Sequence, residues 1–254
     1  MPFTLAHPAA ILPLRGIRYL HTLPLILGAM SPDLPYYLPG SMQRNVPDTH
    51  AFEASFTICL ALAYLLMIAL FVLRRPLTAL LAPRARWLCL RSLAPLREPR
   101  GWLLAIPAII LGTWTHLLWD AFTHSDGWVV HRVAALSAPV TVGSYTGPLC
   151  HVLQYLSSVF GLTVLAIWYT RLRAPARVHP DPHAPRSAVG PILLLAASAA
   201  VLIGAVQATV FLERTHEIYR SINLLLTHSL AWFAALYLVA GLIITLEHHA
   251  DSRF

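Results

Sequence analysis

Lysine is missing from this chain: all 18 of its Lys-plus-Arg positions are arginine. Acids are scarce too, at 11, and charged residues make up only 11% of the 254. A soluble domain carries about a quarter of its residues charged. That shortage, with 57% hydrophobic residues and a mean hydropathy of +0.63, excludes a soluble globular domain and leaves an integral membrane protein. The net charge of +7 is no nucleic-acid footprint, because the arginines sit between apolar runs, where such residues set topology. Cys59, Cys89 and Cys150 are odd in number and scattered, which excludes a disulfide framework or a cysteine-rich zinc site. The opening Met-Pro-Phe-Thr-Leu-Ala-His has no basic segment ahead of its apolar part, so no cleaved signal peptide is expected.

What the chain does have is long apolar runs. Five reach the roughly 20 residues that a bilayer crossing takes: Ala54–Leu73, Trp102–Trp119, Leu149–Thr170, Gly190–Leu212 and Ile222–Leu246. The second contains Pro107 and Gly112, tolerated in a membrane helix as a kink. The third carries Gln154, Ser157 and Ser158, which predict a side facing other helices. Residues 8–30 are apolar but broken by Pro8, Pro13, Arg15, Gly16, Arg18, His21 and Pro24. A straight helix there would hold His7 and Asp33 on the order of 39 Å apart. Two short helices folded as a hairpin return both to one end, with the tip arginines snorkelling or paired. The expected fold is therefore all-α and polytopic: an N-terminal hairpin and outer loop over 1–53, then a bundle over 54–246. All of 1–254 forms a single membrane domain, with 171–189 as a proline-rich linker. His179 and His183 in that linker, and His248 and His249 at the end, are expected to be solvated.

Charge sets the orientation. Arg74, Arg75, Arg84, Arg86, Arg91, Arg97 and Arg100 oppose Glu98 alone in one loop, and Arg171, Arg173, Arg177 and Arg186 oppose Asp181 in another. The positive-inside rule makes both cytoplasmic. The far face then collects Asp33, Asp48, His50, Glu53, Asp120, His124, Asp126, His131, His151, Glu213, His216 and Glu217.

On that face the stretch Thr-His-Leu-Leu-Trp-Asp-Ala-Phe-Thr-His-Ser-Asp-Gly, residues 115–127, puts His116, Asp120 and His124 at spacings of four and eight. On a continuous helix they form one stripe, a donor set suited to zinc or, second, manganese. The bland alternative is a polar helix end, since Asp126 and Gly127 read as a stop. Three more segments converge there: His7, Asp33 in Met-Ser-Pro-Asp-Leu-Pro-Tyr-Tyr, and His50 with Glu53 in Asp-Thr-His-Ala-Phe-Glu. Alone each has a structural explanation, as turn, cap or surface residue; together they make a metal site. Glu53, or Asp120 if it is not a ligand, is the candidate general base.

These four places, MPFTLAHPAA, SPDLPYY, the Thr-His at 49–50 and HLLWDAFTH, resemble a domain-of-unknown-function family of bacterial polytopic membrane proteins. More distantly, the order His, Pro-Asp, Thr-His, His-x-x-x-Asp is similar to LexA-regulated membrane-bound metal-dependent hydrolases. That similarity implies that His7, Asp33, His50, His116 and Asp120 hold metal. Pro35 stands where the wider family tends to have a second acid, and Pro47 and Asp48 replace its His-Arg. A two-metal site is thereby put in doubt, with His124, Glu53 or Asp48 as substitute ligands.

The leading expectation is a membrane-embedded hydrolase whose divalent ion lowers the pKa of water and polarises the scissile group. Its partners are the bilayer and a lipid-linked phosphoester substrate. The rivals are a non-enzymatic membrane protein with a structural metal, and a redox or transport protein using His116, His151 or His228 for haem or protons.

Overall fold

A computed structural model of the chain describes residues 3–38, 45–143, 145–172, 186–216 and 218–251. Most of the expected linker, with His179 and His183, lies outside the described residues, as does Glu217; of His248 and His249 only the helical backbone is described. The protein is an all-α polytopic membrane protein with five helices long and apolar enough to cross a bilayer: Phe52–Val72, Pro99–Thr123, Leu149–Arg171, Val189–Thr215 and Ser221–Glu247. We label the helices α1 (Thr22–Met30), α2 (Ile58–Val72), α3 (Arg74–Ala79), α4 (Pro83–Leu93), α5 (Pro99–Thr123), α6 (Ala134–Ser137), α7 (Leu149–Arg171), α8 (Arg186–Thr215) and α9 (Ile218–Asp251). A feature the apolar pattern did not signal is a small antiparallel hairpin, β1 (Pro139–Val142) with β2 (Tyr145–Pro148), in register Val140 to Gly147.

The described residues fall into two compact units. One is drawn from Met1–Pro35, Gly40–Ile68 and Ser92–Arg173, the other from Tyr36–Pro39, Ala69–Arg91 and Ala174–Phe254. The second unit is built on α8 packed along α9 and on α3 against α9. Tyr237 donates to the Leu77 carbonyl at 2.8 Å, and a Cβ at Gly241 would overlap the Pro76 carbonyl.

In the first unit the N-terminal segment does fold back on itself. Its first limb, Thr4–Leu14, is a 3-10 helix rather than an α-helix. Pro8 and Pro13 inside it cannot donate the backbone hydrogen bonds that an α-helix needs. Gly16, at φ 105°, supplies the left-handed conformation that turns the chain toward the second limb, α1. The tip arginines stack on aromatics, Arg15 over Trp168 at 5.5 Å and Arg18 over Tyr19 at 4.9 Å, and Arg100 covers the same Tyr19 at 5.4 Å. The tip therefore sits at the arginine-bearing ends of α5 and α7, and its charges lie on rings as expected of buried-stem arginines.

The limbs pack on α5 around Ile11, Leu25, Ala29 and Ala108. The α1–α5 contact is backbone to backbone: a Cβ at Gly28 would overlap the Ile109 carbonyl, and one at Gly112 the Leu25 carbonyl. Gly112 is thus a close-approach residue, the usual way membrane helices gain van der Waals contact. Hydroxyls reinforce it, with Ser31 donating to the Gly28 carbonyl at 2.9 Å and Thr113 to the same oxygen at 3.2 Å.

Candidate metal centre

The chain leaves α1 directly into the 3-10 helix Ser31–Tyr37, where Pro32 and Pro35 hold the backbone and Asp33 falls in the first turn. Because Gly28 and Gly112 bring α1 onto α5, Asp33 meets the last two turns of α5, which carry His116 and Asp120. The loop before α2 is tied to the same turn. Thr49 donates its hydroxyl to the Pro32 carbonyl at 2.6 Å, and Cys59 donates its thiol to the Thr49 carbonyl at 3.2 Å. Asp48 accepts the His50 backbone N–H at 2.9 Å, leaving the His50 ring turned inward. The first limb adds His7, and Gly161 of α7 lets that limb approach, since a Cβ there would come within 2.9 Å of the Ala6 carbonyl.

Four sequence segments thereby converge on one point. The two oxygens of Asp120 lie 3.6 Å from His7 Nε2, 3.5 Å from His50 Nε2 and 3.1 Å from His116 Nε2. Asp33 lies 3.9, 3.6 and 3.7 Å from the same three nitrogens. Ligand atoms of His7, Asp33 and His116 fall within 4.8 Å of one another, as do those of His50, His116 and Asp120. The cluster is buried, with His7 and His116 at 0% exposure and Asp33 at 1%. Only His50, its side chain 28% exposed, opens it outward, together with His124 at 23%.

Two observations fit this set to a divalent cation. The His116 Nδ1 hydrogen faces the Ala29 carbonyl at 2.8 Å, which leaves the Nε2 lone pair free for a ligand bond. Meanwhile His7 Nδ1 and Nε2, His116 Nε2, Asp33 Oδ2 and both Asp120 oxygens are buried without a hydrogen-bond partner. Buried polar atoms left in that state cost about 1–3 kcal/mol each, more for charged ones, so so many aimed at one point call for a shared partner. Three imidazoles and two carboxylates are borderline-to-hard donors and could hold such an ion.

Electrostatics outside the spans agree. Burial, reinforced by His116, lowers the His7 pKa to about 3, so this ring is neutral and its lone pair available. Burial lowers that of His50 as well, but the adjacent carboxylates of Asp120 and Asp33 outweigh it and hold the ring up at about 10. Burial raises the Asp33 pKa, yet His116 and His50 more than offset this and leave it below the usual carboxylate value.

Two residues named from the sequence lie differently from the helical stripe and inner cluster expected of them. The stripe His116–Asp120–His124 is broken, because α5 ends at Thr123 and His124 is its C-cap in extended backbone, φ −109° and ψ 142°. His124 still returns toward the site, Nδ1 at 3.4 Å from Asp120 Oδ1 and Nε2 at 3.4 Å from Gln154 Nε2, but it stands outside the two ligand groups. Glu53 is exposed on the short 3-10 helix Phe52–Phe56 and is likewise not brought into either group. Gln154 was legible only as a packing residue. It is 2% exposed, and its carbonyl receives Ser157 and Ser158, which in turn accept from Trp119 Nε1 and the Phe3 N–H.

Other histidines lie elsewhere. His151 contacts the Tyr145 hydroxyl at 3.4 Å, His131 and His216 are exposed, and His228 in the second unit donates Nδ1–H to Gln207 Oε1 at 2.7 Å. The free thiols Cys59 and Cys150 are buried and Cys89 exposed.

Fold and site together define a polytopic helical membrane protein with a buried His/Asp cluster that could hold a metal ion. The chain belongs to the family described as a domain of unknown function (DUF4184), whose model matches residues 1–246. No curated protein and no solved structure matches it.

Proposed function

We propose that this protein is a membrane-embedded, metal-dependent hydrolase of a bacterial inner membrane, acting on an ester or phosphoester of a lipid or lipid carrier at the non-cytoplasmic surface. The observation that carries it is the set of unpartnered buried donors from His7, Asp33, His116 and Asp120, closed by the half-exposed His50. These five residues would hold a divalent cation, zinc before manganese, which when bound would supply positive charge to polarise the scissile group. His7 presents a neutral ring nitrogen, and His7 and His116 are fixed by mutual stacking at 3.7 Å and by the Ala29 carbonyl on His116 Nδ1. His50 and His124 form the open edge, where a substrate headgroup enters. Where Asp120 is not a ligand it is the candidate general base, with one oxygen toward His116 and the other toward His124; Glu53 stands farther out on the exposed 3-10 helix. The positive-inside rule, applied to the arginine-rich loops of the sequence, supports an edge that faces away from the cytoplasm.

The rival reading, a structural metal in a non-enzymatic protein, draws on the depth of burial, since so enclosed a centre resembles a closed site. The haem alternative finds no support at His116, where one nitrogen faces Ala29, the other faces Asp120, and His7 covers the ring. The test is hydrolysis by the purified protein in nanodiscs, on long-chain and short-chain nitrophenyl esters and phosphoesters. Turnover that a chelator removes and zinc or manganese restores supports the hydrolase; no turnover by a metal-loaded protein on any of them favours the structural reading.

A further inference from the structure

An apolar groove of about 380 Å³ runs beside the cluster within the first unit, in the size range of ligand sites, about 300–1,000 Å³. Its walls include Ala10 of the first limb, Leu118, Trp119, Phe122 and Thr123 of α5, and Ser157 of α7. Each wall leads to the site within one helical turn. Ala10 follows His7 by three residues, Thr123 follows Asp120 by three, and Ser157 follows Gln154 by three. Trp119 joins the two compartments: its ring stands edge-on to His7 at 5.8 Å, and its Nε1–H is taken by Ser157, so the indole is fixed as a partition. Leu118 and Phe122, at 55% and 45% exposed, open the groove sideways from a membrane-spanning helix.

We infer that this groove seats one hydrocarbon chain of a membrane lipid, with its ester or phosphoester end at Thr123, against the Asp120–His124 edge. The inference rests on the hydrolase reading for the fate of that lipid and on the groove alone for its binding. The occupant follows from the setting: the groove opens on a span, where the surrounding phase is hydrocarbon, while its wall at Thr123 lies one turn from Asp120. A water-soluble substrate would have no use for a sideways opening there, and a long chain held in it fixes where along α5 the headgroup stops.

The test uses the full-length protein in phosphatidylglycerol nanodiscs doped with a phospholipid that carries a diazirine near the end of one acyl chain. After photolysis, adducts are mapped by mass spectrometry, with and without excess unlabelled lipid of the same kind. Adducts at Leu118, Phe122 and Ala10 at least fivefold above those at Val159 and Phe160 on α7, which are more exposed than Leu118 and Phe122, and lost on competition, are expected. Leu118→Trp, which narrows the groove, should cut them by more than half. Even labelling of both faces, adducts that do not compete, or crosslinks to a second copy of the chain in place of lipid overturn the inference. Bound metal and ester turnover are measured on the same wild-type sample. Groove adducts without metal sink only the hydrolase reading, and metal with even labelling sinks only the groove.

Discussion

The imidazole of His7 lies flat on that of His116, ring centroids 3.7 Å apart and planes within 22° of parallel. Two histidines from opposite ends of the N-terminal half are thus stacked in a dry interior with both Nε2 atoms unpartnered. Two cations would not stack so closely in a poorly solvated place. The neutral His7 ring permits the close approach and turns its lone pair toward the same point as His116 Nε2.

The Thr49 hydroxyl on the Pro32 carbonyl links the loop bearing His50 to the turn bearing Asp33. Thr49→Val keeps the shape and removes the donor, leaving a buried carbonyl unpaired. It should cost about 1 kcal/mol in unfolding free energy. Its effect on metal should be larger, a weakening of about 10–100-fold, as for other supporting contacts around metal sites. Zinc titration against a chelating dye reads the second effect, and unchanged affinity would remove Thr49 from the account.

Glycine contact sets the geometry between α1 and α5. Gly28→Ala pushes a methyl into the Ile109 carbonyl and should destabilise by about 1–3 kcal/mol while lowering bound metal. Gly190→Ala is the control, since nothing lies within 4 Å of its new methyl, and its stability should stay within about 0.5 kcal/mol. Thermal unfolding in detergent with metal analysis of each variant compares them.

Metal binding should be proton-linked through His50. In the metal-free protein its pKa is held up at about 10 against an ordinary 6.5. A raised value means that the bound proton stabilises the metal-free fold below pH 6.5, and that this contribution fades as pH rises through 10. A cation competes with that proton, so its apparent affinity should rise by about tenfold per pH unit across this window, with proton release into the buffer. Affinity that is flat from pH 6.5 to 9 would mean His50 is not a ligand.

His228 separates the hydrolase from the proton-handling reading. Its bond to Gln207 joins α8 to α9 inside the second unit. His228→Gln should leave bound metal unchanged and cost about 0.6 kcal/mol, the average for polar contacts between membrane helices. Loss of metal or of chelator-sensitive turnover would draw this histidine into function.

Much of this arrangement could be read from residue order alone. The five spans follow from apolar length, and the hairpin from prolines and arginines where a straight crossing would strand His7 far from Asp33. The convergence of His7, Asp33, His50, His116 and Asp120 is likewise visible as ionisable residues gathered at one end of the spans. What stayed hidden depends on contacts between segments. Gly112 reads as a kink residue because sequence does not reveal that the α1 backbone lies against it. His124 reads as the third member of a helical stripe, but the turn at Ser125–Gly127, closed by the Gly127 N–H on the His124 carbonyl at 2.9 Å, ends the helix first. The short strands β1 and β2 carry too few alternating residues to announce themselves, and the 3-10 form of the first limb follows from prolines whose effect on helix type depends on packing.

The most direct measurement is elemental analysis of the purified protein beside His116→Ala and Asp33→Ala, each checked for folding by its helical circular dichroism. The account predicts at least one divalent ion per wild-type chain and less than about a tenth of that in either variant, given the lost ligand. Wild type without metal after zinc or manganese loading, or folded variants that retain it, would contradict the account.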